Sequence, residues 1–414
     1  MLLSASPLDA AGRSIGVFRD AKSTGKPIDR WRAQRPFDRS DMLARRLRLD
    51  QLTVEHFETL LATPSDRLPH TDGTPEWVDA IEHADALASQ IAGLHPGTSH
   101  EDATGIAPVR AFVEPFVTAG MTRLYDAACA ITRDEPATPF DSKHATLLFE
   151  PQLWGQLIGR AMKVVILELN VARVRGTLAG STPEARCADF ASQLRAGAAR
   201  EQIIAEYPVL ARSMVAATDN WLGAAVEFLR HLAADASRLR DTFVGGAELG
   251  QLVALALGAG ESHRHGRSVA IAEFRSGLRV VYKPRALTVD GHFHELIDWI
   301  NARGQTPPLH AVRALDVGDH GWAEFVPNDP CDSPDAVARF YQRFGAYVAI
   351  LHALDATDFH YENVIASGEF PMLIDLEALF HPQTASGGAA DEPEGLGWEA
   401  LQRSVLRTGV LPFR

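Results

Sequence analysis

Between about residues 53 and 245, apolar side chains recur at three- and four-residue spacing, in the runs 53–63 (TVEHFETLLAT), 75–94, 107–131, 149–176 and 218–243. That period predicts a mostly helical region. Thr53 stands where a first-turn cap belongs, with Glu55 just inside the helix, and TP, GT and HPG dipeptides punctuate the connections. Residues 1–50 carry many Arg and Asp without sustained periodicity, so WRAQRPF reads as a connector into the first helix. After GAELGQ the pattern changes to short alternating runs. SVAIAEF and LRVVYK read as two strands of a hairpin turning at Arg275-Ser276-Gly277. DGHFHELIDWINARG returns to helical spacing, with Phe293, Leu296, Ile297 and Ile300 on one face. Two short strands flank Gly318 to Gly321, and a helix spans Ser333 to Ala353 with Pro334 in its first turn. VIAS and PMLIDLEALF close the pattern as strands around a turn at Gly368, while Trp154 and Trp299, at helical positions, read as core. The fold expected is α+β, a mainly helical region over residues 1–245 followed by a core over 246–414 with small antiparallel sheets.

Composition narrows the function. With 414 residues and 46% apolar content, the chain can bury two or three domain cores. Its formal net charge of −13 argues against a general affinity for nucleic-acid backbones. Cys129, Cys187 and Cys331 are odd in number and lack CxxC spacing, which suggests neither a disulfide framework nor a zinc ribbon, so no zinc is expected. The N-terminal apolar patch is too short for a signal peptide, and LVALALGAG (252–260) falls far short of a bilayer span. A cytoplasmic location without membrane contact is expected.

The chemistry concentrates in TDFHYENVIASGEFPMLIDLEALFH, Thr357 to His381. Asp375 lies between Ile374 and Leu376, where a strand places apolar residues, and burying an uncompensated carboxylate costs several kcal/mol. Phosphoryl transfer from ATP supplies a rationale. It needs a carboxylate to align the attacking hydroxyl and oxygen ligands to hold Mg²⁺ on the phosphates; in kinases these are a loop Asp, an Asn five positions later, and an Asp on the following hairpin. Here Asn363 follows Asp358 by five and Asp375 follows Asn363 by twelve. The form D-x-H-x-x-N, with His360 inside the loop, is nearer to lipid-kinase-like and atypical kinases than to ordinary protein kinases. Lys283, ending the second strand of VVYKPRAL, stands where kinases keep the lysine for nucleotide phosphates. The GAGESHRHGRSVA stretch ahead of the first strand occupies the place of a phosphate-covering loop, and Glu295 in the next helix is positioned to pair with Lys283. A plainer account makes the Asp–Asn set a polar turn, Lys283 a snorkelling strand-end lysine and Glu377 a supporting carboxylate.

Several longer motifs then converge. GESHRHGRSVAIAEFRSGLRVVYKPRAL, FHELIDWIN, GWAEFV, RFGAYVAILHALDATDFHYENVIASGEFPMLIDLEALFHP and SVLRTGVLP resemble, in order, the dehydratase domain of class II lanthipeptide synthetases of the LanM type. The resemblance is strong over residues 255–414 and moderate over 206–235. It implies a lipid-kinase-like bilobal core that uses ATP and Mg²⁺ to phosphorylate Ser and Thr of a precursor peptide, then eliminates phosphate to leave dehydroalanine or dehydrobutyrine. It assigns catalysis to Asp358, His360 and Lys283, nucleotide binding to Lys283, His263 and Glu261, and metal binding to Asn363 and Asp375. Glu261 departs from the aspartate usual in the family. The helical region is expected to grip the leader of the precursor. Since the family continues into an elimination segment and a zinc-dependent cyclase, the chain is expected to be a fragment that phosphorylates without eliminating or cyclising. Two other readings stay open at this point: a small-molecule kinase of the antibiotic-modifying kind, and an inactive module that only binds the precursor.

Overall fold

The computed structural model describes residues 27–39, 41–63, 76–92, 105–258, 266–381, 400–401 and 403–411. The chain forms two compact units, one of Met1–Asp126 with Glu150–Gly223, the other of Ala127–Phe149 with Ala224–Arg414.

In the first unit, α1 (Pro27–Arg32), α2 (Met42–Leu49) and α3 (Val54–Ala62) gather around Ile28, Leu43, Leu47, Leu52 and Phe57. The stretch expected to be a connector therefore has a small core of its own. Trp31 seals it by packing edge-on to Phe57, a contact between apolar residues too widely spaced to register as a period. Thr53 caps α3 as expected, its hydroxyl accepting from the His56 N–H at 3.1 Å. Longer helices follow: α4 (Glu76–Ala92), α5 (Ala107–Asp134), α6 (Ser142–Arg175), α7 (Pro183–Arg195), α8 (Ala198–Glu206) and α9 (Pro208–Val244). α6 and α9 begin earlier than their apolar runs. Ser142 and Pro208 open them, since proline is tolerated in a first turn, where its missing N–H has no helical partner. Gly120 on α5 lets neighbouring segments close in: a methyl there would meet Leu153 at 2.9 Å, Thr218 at 3.1 Å and Trp221 at 3.3 Å.

The second unit is built on an antiparallel sheet in the order β1-β2-β3-β5-β4. Its strands are β1 (Leu252–Leu257), β2 (Ala270–Phe274), β3 (Arg279–Lys283), β4 (Ala314–Asp316) and β5 (Gly321–Glu324). The β2–β3 turn falls at the expected Arg275-Ser276-Gly277, where Gly277 takes φ +86°, a left-handed conformation that costs glycine little. LVALAL, which the sequence marked only as an apolar run, pairs with β2 as β1. Gly321 lies opposite Lys283 in the β3–β5 ladder, and a side chain there would collide with Leu287 at 2.6 Å.

Helix α10 (Thr288–Asn301) follows β3, and α11 (Pro334–Ala353) leads to the hairpin of β6 (Val364–Ser367) and β7 (Phe370–Leu373). Phe293 and Ile297 of α10 join Leu309, Tyr347, Leu351, Phe359, Leu373, Leu376 and Leu379 in one core, with Ile300 packed against it. Trp299 falls off that face; it is 54% exposed, with the Arg303 guanidinium over its ring, so it is not core. Trp154 is half-buried and donates its indole N–H to Glu150. The buried Arg343 of α11 ties down the β6–β7 turn, bonding the carbonyl and carboxylate of Glu369 and the Pro308 carbonyl. Ser333 caps α11 through the Ala336 N–H at 3.2 Å, with Pro334 following. Ser333→Ala is expected to lower stability by about 1 kcal/mol, read as an earlier denaturant midpoint with unchanged slope.

Candidate functional site

Lys283 ends β3 and is 8% exposed. Its ammonium donates to the Ile374 carbonyl, 91 residues further along the chain, and lies 3.5 Å from Asp290 Oδ1. Burial pushes the lysine pKa down; the negative charge of Asp290 opposes that shift. Two residues on, Arg285 spreads its guanidinium over three carboxylates: Asp290 at 3.3 Å, Asp375 at 2.9 Å and Glu377 at 3.6 Å. Two cations and three anions thus meet where β3, the first turn of α10 and the segment after β7 converge. The carboxylate that pairs with Lys283 is Asp290, not Glu295. Glu295 lies on the outer face of α10, exposed and 3.3 Å from His292, because five residues along a helix turn a side chain well away from the starting face. Replacing Asp290 by Asn is therefore expected to weaken any phosphoryl-transfer activity about tenfold, while Glu295→Ala leaves it within about twofold; parallel initial rates at several ATP concentrations check this.

Asp375 is not a strand residue. β7 ends at Leu373; Ile374 still donates its N–H to the Asn363 carbonyl, but its own carbonyl turns to Lys283 instead of a ladder partner. The chain then turns so that Leu376 and Leu379 enter the core, leaving the Asp375 side chain 39% exposed with Arg285 as counter-charge. The carboxylate that looked uncompensated in the sequence has a guanidinium supplied from ninety residues upstream.

The loop before β6 is held by backbone. Asp358 takes φ +66°, which aspartate and asparagine adopt more readily than most residues, and its carbonyl accepts from the Asn363 side-chain amide at 2.7 Å. Phe359, 1% exposed, anchors the loop in the core, and its N–H bonds the Thr408 carbonyl at 2.8 Å. A 3₁₀ turn, Val405–Thr408, supports the loop from below. It ends in Gly409 at φ +76°, where a Cβ would sit 3.3 Å from the Phe359 nitrogen. Arg407 reinforces the contact by bonding the side chain and carbonyl of Asp355. The Asp358 carboxylate itself is 67% exposed. His360 Nδ1 accepts from the Glu362 N–H at 3.2 Å, which puts the ring proton on Nε2, the nitrogen facing Asp358 Oδ1 at 3.4 Å.

The structure therefore links four of the sequence-derived residues in one chain of contacts. Lys283 bonds Ile374, the neighbour of Asp375; Ile374 bonds Asn363; Asn363 bonds Asp358. His360 adjoins the last of them. Glu261 and His263 lie outside the described residues. Arg285 and Asp290 escaped the sequence reading, although KPR in VVYKPRAL and an acidic residue in the first turn of the next helix were the available signals. Among the described residues, Asn363 Oδ1 and Asp375 Oδ2 accept no hydrogen bond, so two hard oxygen donors of the kind Mg²⁺ takes are free.

Comparison with known proteins agrees in location. Residues 207–414 match the family model described as Domain of unknown function (DUF4135), and the chain belongs to that family. It is also similar to the lacticin 481/lactococcin biosynthesis protein LcnDR2 of Lactococcus lactis subsp. lactis, with 26% identity over 282 residues. That match covers 66% of this chain and 30% of the relative, so the chain spans about a third of the length of the curated relative it matches. No helix among the described residues is long and apolar enough to cross a membrane.

Proposed function

We propose that the chain acts in lanthipeptide biosynthesis as a lipid-kinase-like catalytic unit that phosphorylates Ser and Thr of a precursor peptide with ATP, as the first step of their dehydration. The observation that carries this reading is the Lys283–Ile374–Asn363–Asp358 chain of contacts, which gathers a buried lysine, two oxygen-donor side chains and an exposed carboxylate from distant segments. The match to a lacticin 481/lactococcin biosynthesis protein supports the peptide substrate and the pathway class.

In this reading Asp358, exposed beside its loop, accepts the hydroxyl proton of the attacking Ser or Thr, and His360 steadies the carboxylate through its Nε2–H. Lys283 holds the nucleotide phosphates, with Asp290 keeping the buried ammonium charged and oriented. Asn363 and Asp375 are the residues that would hold Mg²⁺, which would supply positive charge against the phosphates. Arg285, two residues from Lys283, stands where a second cation can meet phosphate oxygens. The helical region of residues 1–245 serves as scaffold and leader-binding surface, and the protein works in the cytoplasm.

Incubation with ATP, Mg²⁺ and a candidate precursor tests the proposal. Peptide carrying one phosphate mass per modified residue, or its dehydrated product, is expected by mass spectrometry. ATP turnover on aminoglycosides or sugars with untouched peptide would replace this reading with that of a small-molecule kinase. An absence of any ATP-dependent thermal shift would replace it with that of an inactive binding module; a nucleotide at a hundred times its dissociation constant stabilises by about 2.7 kcal/mol.

A further inference from the structure

A second polar cluster lies on the opposite face of β3 from Lys283, since adjacent strand residues point to opposite sides. Tyr282 faces α9, and its hydroxyl meets His231 Nδ1 at 2.8 Å. His231 stacks on His320 with ring centroids 3.6 Å apart and planes 7° from parallel. His320, in the β4–β5 turn just before β5 and buried, has a carboxylate on each ring nitrogen: Asp235 on Nε2 at 2.7 Å and Asp319 on Nδ1 at 2.7 Å. Asp235 is 2% exposed and also accepts the Trp322 indole N–H at 2.9 Å. His231 and Asp235 sit four apart on α9, hence on one face of the helix. None of these groups has a part in phosphoryl transfer.

We infer that His231, His320 and Asp319 form a binding site for a divalent transition-metal ion of the zinc class. One ligand atom from each lies within 4.8 Å of the others, and rotation of the half-buried His231 ring out of its stack on His320 turns both imidazoles toward one ion with bonds of about 2.0–2.2 Å. Two features distinguish the cluster from a chance gathering of polar side chains. Its supporting partners are at hand: Asp235 fixes the His320 ring through Nε2, and the Tyr282 hydroxyl occupies His231 Nδ1. Each leaves one imidazole nitrogen for the ion, as the outer partners of metal-bound histidines do. Trp322 in turn fixes Asp235. The cluster also reaches solvent through Asp319, whose side chain is 84% exposed, while His320 is 7% exposed. That gives an ion an entry path from solvent. The ion would lie between His320 Nδ1 and Asp319, which now meet at 2.7 Å. Two imidazoles and a carboxylate favour zinc-class ions over Mg²⁺, which prefers oxygen donors. The site uses no cysteine, the residue on which the expectation of no zinc was based. A bound ion ties α9 to the β4–β5 turn behind the strand that carries Lys283.

The test is equilibrium dialysis of the full chain against micromolar Zn²⁺ with millimolar Mg²⁺ present, with Co²⁺ absorption as a second readout. One equivalent retained, a raised melting temperature and a tetrahedral Co²⁺ spectrum are expected. Asp319→Asn changes an exposed side chain and keeps the fold; it should lower Zn²⁺ affinity at least tenfold, and His231→Gln should abolish the Co²⁺ spectrum. Zn²⁺ retention unchanged in both variants, or no retention below millimolar Zn²⁺, overturns the proposal. Because nucleotide binding is read separately, failure here leaves the phosphorylation proposal standing, and the reverse holds too.

Discussion

Asp358→Asn is expected to lower the rate of peptide phosphorylation by about 10²–10⁴-fold, the usual worth of a positioned general base, without unfolding the protein. The reason for expecting a clean result is geometric. Asp358 contributes to structure through its backbone: its carbonyl receives the Asn363 amide, and its φ of +66° is as accessible to asparagine as to aspartate. Its carboxylate is exposed and, among the described residues, meets only the long contact from His360. Asparagine therefore preserves the loop and the αL conformation while losing the capacity to take a proton. Initial rates by mass spectrometry, with circular dichroism and melting temperature alongside, separate the two. A variant that melts normally and phosphorylates at the parent rate would remove Asp358 from the reaction.

Lys283→Met is expected to reduce kcat/KM for ATP by about 10²-fold, equivalent to roughly 2.7 kcal/mol of lost transition-state stabilisation. Methionine keeps the unbranched apolar stem that fills the site under β3, whereas alanine would add a cavity to the loss of charge. The buried neighbour Asp290 is not stranded, since Arg285 still lies 3.3 Å from it. The Ile374 carbonyl does lose its donor, which adds a modest stability cost of about 1 kcal/mol. Isothermal titration with ATP and Mg²⁺ should show weaker binding together with slower turnover. Equal ATP affinity and rate would mean that the lysine serves only to pin the segment at Ile374.

The order Asp358, His360, Asn363, Asp375 and the strand-end position of Lys283 were readable because they depend on spacing and on local alternation. So were the β2–β3 turn, the Thr53 cap and the α10 core face, each set by neighbours within a few positions. What spacing could not reveal is which charge answers which. Glu295 was the residue expected to pair with Lys283, yet Asp290 reaches it, because the choice depends on how α10 is rotated against β3. Asp375 looked in need of an ion, yet Arg285 already stands against one of its oxygens. β1 was hidden for a related reason: LVALAL has no period of its own, and pairing with β2 decides its conformation.

By itself the sequence determined the mostly helical first part, the shift to short strands after residue 250 and the set of residues carrying the candidate chemistry, since backbone propensity and side-chain period act over a few residues. Tertiary structure alone decided the partners: Lys283 with Ile374 and Asp290, Arg285 with Asp375, and His231 with His320, 89 positions apart. Electrostatic and hydrogen-bonding energies fall off within a few ångströms, so they depend on distances in space that separation along the chain does not encode.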